Sequence, residues 1–127
     1  MKTAQEYKDS LRERKIRVYV KGQLLDSREV IDHPFIRGHV NSAAMTYALA
    51  GNPEYADLMT TTSHLTGRKI NRFTHIHQSV DDLMKKAMML RTISQKTGTC
   101  YQRCVGFDAM NATYTVTYEL SLIHISE

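Results

Sequence analysis

Along most of the chain apolar residues recur three or four positions apart, the period of a helix that buries one face; only around residues 16–25 do they alternate. Thr3-x-x-Glu6 has the form of a capping box, so it predicts a helix through about Arg14 with Tyr7 and Leu11 on one face. Ile16-Arg17-Val18-Tyr19-Val20 alternates at period two, Lys21-Gly22 is a tight-turn pair, and Gln23-Leu24-Leu25 returns, which predicts a β-hairpin. Two strands are marginal by themselves, so the hairpin must pack on something larger.

Asp32-His33-Pro34-Phe35 reads as a turn, because the residue before proline avoids helical geometry, and His33 as a turn or surface histidine. Asn41 or Ser42 caps a predicted helix through Ala50, with Ala44, Met45 and Leu49 inward and Gly51 as its stop. Asn52-Pro53 opens a short helix from Glu54 to about Met59, and the hydroxyl-rich run from Thr60 to Gly67 reads as a loop. Ser79-x-x-Asp82 starts another helix, with acidic residues in its first turn where the helix dipole favours them. It runs to about Lys96 with Leu83, Ala87, Leu90 and Ser94 on one face; Met84, Met88 and Met89 widen that stripe, which reads as core. Val105 to Tyr114 carries small and apolar residues at helical spacing and predicts a buried, closely packed helix. The expected class is therefore mainly α, with a small β-hairpin near the N-terminus.

At 127 residues the chain is one domain at most. Lys plus Arg outnumber Asp plus Glu by 17 to 13, a net charge of +4 without the basic tracts that mark nucleic-acid arms. No stretch approaches the roughly 20 apolar residues that span a bilayer, and no apolar signal region opens the chain. The expectation is a cytoplasmic protein bound to neither nucleic acid nor membrane.

The chemistry-bearing stretch is Gln95 to Gly106, which holds both cysteines of the chain, Cys100 and Cys104. On a helix this spacing would put the two thiols on one face, with Cβ atoms about 5–6 Å apart. So placed they could hold part of a soft metal centre, zinc or an iron–sulfur cluster, with the remaining ligands from elsewhere. On spacing alone they read better as two buried core thiols. Lys96 and Arg103 favour thiolate over thiol by their charge. His75 and His77 alternate, so in a strand they would share a face as metal ligands; with no carboxylate or thiol at ligand spacing they read better as polar residues of a cofactor-lining or surface loop.

Leu120 to Glu127 breaks the preceding pattern and resembles the translation of a transposase adapter used in library preparation. We expect residues 1–119 to be a truncated helical N-terminal domain and 120–127 to be foreign to the gene, so that His124 is no ligand.

Several segments carry a likeness: Arg17-Val18-Tyr19, Asp32-His33-Pro34, Met45-Thr46-Tyr47, Tyr55-Ala56-Asp57-Leu58-Met59-Thr60-Thr61, Ile70-Asn71-Arg72-Phe73, His77-Gln78-Ser79, Asp81-Asp82-Leu83 and Gln95-Lys96-Thr97. Through them the chain, as far as about Tyr118, resembles the start of the 4-hydroxyphenylacetate hydroxylase flavoprotein family. Cys100-Tyr101-Gln102-Arg103-Cys104-Val105-Gly106 is most similar to its dehydratase branch, the 4-hydroxybutyryl-CoA dehydratases/vinylacetyl-CoA Δ-isomerases. The resemblance implies the helical N-terminal domain of an acyl-CoA-dehydrogenase-like fold, in a homotetramer that carries FAD and a 4Fe-4S cluster. It implies that Cys100 and Cys104 ligate the cluster, with a histidine and a further cysteine from a later domain. Gln102 matches a polar residue directed at the active site; Arg91 and His77 lie in matching segments. The implied activity is radical dehydration of an acyl-CoA, 4-hydroxybutyryl-CoA, to crotonyl-CoA, for which a fragment alone would be inactive. The monooxygenase branch lacks the cysteine pair. The rival expectations are the N-terminal domain of a reduced-flavin-dependent 4-hydroxyphenylacetate 3-monooxygenase-like enzyme, with incidental cysteines, or a non-catalytic helical module.

Overall fold

A computed structural model describes residues 1–100 and 106–125. Among these residues six α-helices, two short hairpins and one 3-10 turn follow in the order α1 (Ala4–Arg12), β1 (Val18–Val20), β2 (Gln23–Leu25), α2 (Ser27–Asp32), α3 (Arg37–Gly51), α4 (Ala56–Met59), β3 (Thr60–Thr62), β4 (Lys69–Asn71), a 3-10 turn (Arg72–Thr74), α5 (Val80–Thr97) and α6 (Gly106–Ile125). The expected mainly helical class with an N-terminal hairpin is what the chain adopts. No described helix is long and apolar enough to cross a membrane. The chain divides into two compact units, Met1–Asn71 and Arg72–Glu127.

In the first unit, local signals set most boundaries. The Thr3 hydroxyl accepts from the Glu6 amide while the Glu6 carboxylate accepts from the Thr3 amide at 2.7 Å, so both halves of the capping box form. The first hairpin has the expected register, with Val18 opposite Leu25. Lys21 and Gly22 both take positive φ, 49° and 81°, the pair of angles that matches a two-residue turn to strand twist. The hairpin's support includes Lys21, whose ammonium lies 4.7 Å from the Phe35 ring centroid. Helix α1 lies against α2 and α3; Tyr7 stacks on Tyr47 with centroids 4.8 Å apart and planes 19° from parallel. Val30, Ile31, Ala44, Leu49, Ala50 and Met59 form the buried apolar set of this unit.

Three elements depart from the expectation. Asp26 caps a short helix, α2, that apolar periodicity did not reveal: its carboxylate accepts from Arg28 N and the Glu29 side chain reaches back to Asp26 N. Helix α3 begins at Arg37, not at Asn41 or Ser42, because the turn through Pro34 already carries helical hydrogen bonds (Ile36 N and Arg37 N to His33 O, both 2.9 Å) and feeds straight into it. On α3 the inward set is Ala44, Thr46, Leu49 and Ala50; Met45 is half-buried. Of the run read as a loop, Thr60–Thr62 is a strand, paired antiparallel with Lys69–Asn71 so that Thr60 faces Asn71, and residues 63–67 lie in the turn that joins them. Asn71 also donates from its side chain to Thr46 O at 3.3 Å, tying this second hairpin to α3.

In the second unit, Ser79 caps α5 as expected, its hydroxyl accepting from Asp82 N. Gly98 ends the helix in the left-handed conformation (φ 65°), and its amide donates to Ser94 O at 2.9 Å. The buried stripe of α5 is Lys86, Met89, Leu90 and Ile93. It is rotated from the expected face: Leu83, Met84 and Met88 are each more than half exposed. Helix α6 was expected to be buried; of its described side chains only Asn111, Tyr114 and Tyr118 are half-buried and the rest are exposed. Its threonines are consistent with a solvated surface, since Thr113, Thr115 and Thr117 satisfy their hydroxyls on carbonyls four residues back.

Candidate functional site

The polar residues of the second unit gather around the start of α5. Asp82 is the third residue of that helix, and its carboxylate folds back over the first turn. One oxygen accepts from Arg72 Nη1 at 3.1 Å. The other accepts from His75 Nε2 and from the Gln78 amide, each at 3.1 Å. Arg72 and His75 are both 3% exposed. An ionised carboxylate only accepts, so this contact places the His75 proton on Nε2. Burial raises the affinity of Asp82 for a proton, but the Gln78 amide, the His75 hydrogen bond and the charges of His75 and Arg72 outweigh it, holding the carboxyl below its ordinary range.

Lys86, one turn further along, is fully buried. Its ammonium donates to His75 O and to Asn111 Oδ1, both at 2.7 Å. It thereby joins three pieces: the loop before α5, α5 itself and α6. Burial, reinforced by the charge of Arg72 and opposed by that of Asp82, brings its pKa down to about 8. Lys86 was not among the residues the sequence singled out. The available signal was its position: Lys86 lies three, four and seven residues before Met89, Leu90 and Ile93, on the very face that is buried.

His77 stands apart within this network. Both ring nitrogens are buried, and among the described residues neither has a hydrogen-bond partner. Burial, the nearby Lys86 charge and His75 lower its pKa, against an opposing pull from Asp82, so the ring is held toward its neutral form. Gln78 helps shape the loop around it by donating from its side chain to Ile76 O and His77 O, both at 3.1 Å.

Cys100 is exposed, free and not helical: it follows the Gly98 stop of α5. The picture of two thiols on one helix face therefore does not hold at Cys100, because a left-handed glycine ends the helix first. Cys104 and Gln102 lie outside the described residues. Arg91 is exposed on α5. His33 keeps its turn role, accepting from Phe35 N through Nδ1 at 3.3 Å. Among the described residues no three His, Cys, Asp or Glu side chains are placed to hold a metal ion. Cys100 by itself suits one ligand position of a soft centre: an accessible thiol free of any disulfide. The orphaned nitrogens of His77 suit a hydrogen-bonding group supplied from beyond the described residues.

Residues 3–127 match the family model described as 4-hydroxyphenylacetate 3-hydroxylase N terminal. Over 118 residues the chain is 53% identical to the 4-hydroxybutyryl-CoA dehydratase/vinylacetyl-CoA Δ-isomerase of Clostridium aminobutyricum, an overlap that takes in 93% of this chain and 24% of that protein. An oxygen-tolerant archaeal 4-hydroxybutyryl-CoA dehydratase from N. maritimus matches with a TM-score of 0.79 and 44% identity, over 96% of this chain and 24% of the other. The oxygenase component of 4-hydroxyphenylacetate 3-monooxygenase, complexed with FAD and 4-hydroxyphenylacetate, matches with a TM-score of 0.64 over 76% of this chain and 19% of its own; at 23% identity that likeness is one of fold. The chain thus spans roughly a quarter of the length of the dehydratases it matches.

Proposed function

The chain belongs to the 4-hydroxyphenylacetate 3-hydroxylase N-terminal family, and on that premise we propose that it is the N-terminal part of a 4-hydroxybutyryl-CoA dehydratase/vinylacetyl-CoA Δ-isomerase. The observation that carries this reading is the 53% identity to such an enzyme, sustained across 93% of the chain. The whole protein is then a cytoplasmic homotetramer of acyl-CoA-dehydrogenase-like architecture that dehydrates 4-hydroxybutyryl-CoA to crotonyl-CoA. FAD and a 4Fe-4S cluster supply one-electron chemistry and a Lewis acid for the departing hydroxyl when bound.

This part of the chain contributes binding and position. Cys100 and Cys104 are two of the cluster ligands, and Gln102, between them, is a polar residue of the active site. The Gly98 stop turns the chain out of α5 just before Cys100. Lys86, bonded to Asn111 on α6, fixes the two helices that flank the cysteine segment. The Arg72–Asp82–His75 network holds the loop that carries His77. Such a division suits a cofactor enzyme, in which protein groups orient the reactive parts and exclude water.

The test is anaerobic expression of the complete gene with assays for iron, sulfide and flavin. This reading expects all three, and Cys100→Ser or Cys104→Ser expects loss of iron and sulfide. Flavin without iron identifies the monooxygenase branch, and absence of both cofactors identifies a non-catalytic module. Unchanged iron in both serine variants rejects the two cysteines as ligands.

A further inference from the structure

His77 poses a problem that the rest of the unit has solved elsewhere. A neutral imidazole has one donor and one acceptor, and buried polar atoms of native proteins are nearly always paired. Its neighbours already have their own partners. Both Asp82 oxygens are taken, by Arg72 on one side and by His75 and Gln78 on the other. The Lys86 ammonium is directed at His75 O and Asn111 Oδ1. Even the Gln78 side chain is turned to backbone carbonyls. The network thus fixes the loop on both sides of His77, through the His75 ring and carbonyl and the Gln78 amide, and leaves the ring between them unbonded among the described residues.

The charges in reach of that ring determine what it can receive. The charges of Lys86 and Asp82 both act on the ring, and the Asp82 carboxylate is itself paired with Arg72 at 3.1 Å. A further cation would be repelled there, whereas an oxygen that carries negative charge would be favoured and would accept a hydrogen bond from the imidazole N–H. A preorganised donor whose nitrogens are buried, in a positively biased setting, is also the arrangement that stabilises an oxygen as charge develops on it.

We propose that His77 is a ligand-binding residue whose imidazole donates to an electron-rich carbonyl oxygen of the bound reactants, with the Arg72–Asp82–His75–Lys86 cluster as its frame. This rests on the function proposed above, which supplies two such oxygens: the thioester carbonyl of the acyl-CoA and a pyrimidine-ring carbonyl of the flavin. Both are polar carbonyls that become more negative when electrons enter the group that bears them.

The experiment uses the full-length, cofactor-loaded protein with His77→Leu, which removes both nitrogens, and His77→Gln, which keeps a donor and an acceptor. Three quantities are measured in each: the thermal midpoint, the flavin midpoint potential without substrate, and the dissociation constant for crotonyl-CoA read from flavin absorbance. Weakening of crotonyl-CoA by about tenfold or more in His77→Leu, with the flavin potential unchanged, identifies the thioester. A shifted potential with unchanged crotonyl-CoA affinity identifies the flavin. In either case His77→Gln recovers most of the effect. A wild-type protein holding both ligands, with variants that alter neither or change only the thermal midpoint, overturns the proposal: His77 is then partnered by polypeptide. A wild-type protein that binds neither flavin nor acyl-CoA removes the function reading and this site together.

Discussion

The first unit, Met1–Asn71, buries apolar residues and a few hydroxyls, whereas the second, from Arg72 onward, buries an arginine, a histidine and a lysine beside its methionine, leucine and isoleucine. In the first, charged side chains meet at the surface: Arg12 bridges Asp9 and Asp32 where the aspartates are 53% and 71% exposed. In the second, Arg72 meets Asp82 with only 4% and 17% of their side chains exposed. Buried ions are costly to place, so a protein that keeps them must satisfy each one with hydrogen bonds. The Arg72, His75 and Lys86 groups are satisfied in this way, and among the described residues the ring nitrogens of His77 are not. The contrast separates a scaffold held by packing and caps from a site held by charge.

The sharpest way to break that contrast is to remove the shared carboxylate. Asp82→Ala takes the acceptor from Arg72 and His75 at once and should lower unfolding free energy by on the order of 3–5 kcal/mol in urea titration. A loss no larger than that of a surface pair would erase the distinction between the units. Next comes pH. In the folded state Lys86 has a pKa of about 8 against an ordinary 10.5, so between those values the unfolded chain binds more protons. Stability should therefore rise by roughly 3 kcal/mol as pH goes from about 8 to 10.5, beyond the contribution of other groups. In Lys86→Met that slope should flatten; a slope identical to wild type would place the titration elsewhere.

Smaller effects belong to the first unit. Thr3→Ala removes the hydroxyl that accepts from Glu6 N and should cost about 1 kcal/mol, read by the same denaturation. Asp32→Ala opens the exposed pair with Arg12 and should cost less than about 1 kcal/mol, with the difference fading in high salt. A larger effect at Asp32 than at Thr3 would mean that surface charge matters more to this unit than its helix caps.

Legibility in the sequence followed the range of the interaction. Thr3 with Glu6, Ser79 with Asp82, and Lys21-Gly22 each act within a few residues, and each was legible as a helix start or a turn. The cysteine segment stood out by composition, and the family resemblance by its matching motifs. The histidine pair could be noticed but not sorted, because nothing local distinguishes His75, which is bonded to Asp82, from His77, whose ring nitrogens are buried and unbonded among the described residues. Apolar periodicity also misplaced the inner face of α5, counting methionines that lie exposed and passing over a lysine that is buried.

The sequence by itself determined where α1 and α5 begin and where the first hairpin turns, because caps and turn pairs act through hydrogen bonds to near neighbours; Gly51, read as a stop, lies inside α3. The tertiary structure alone decided that Thr60 pairs with Asn71, that α5 turns Lys86 inward, and that Asp82 gathers Arg72 and His75 while His77 stays unbonded among the described residues. Burial and long-range pairing are the reason: a charged side chain enters a core only when partners distant in sequence, here His75 O and Asn111, reach it in the folded chain.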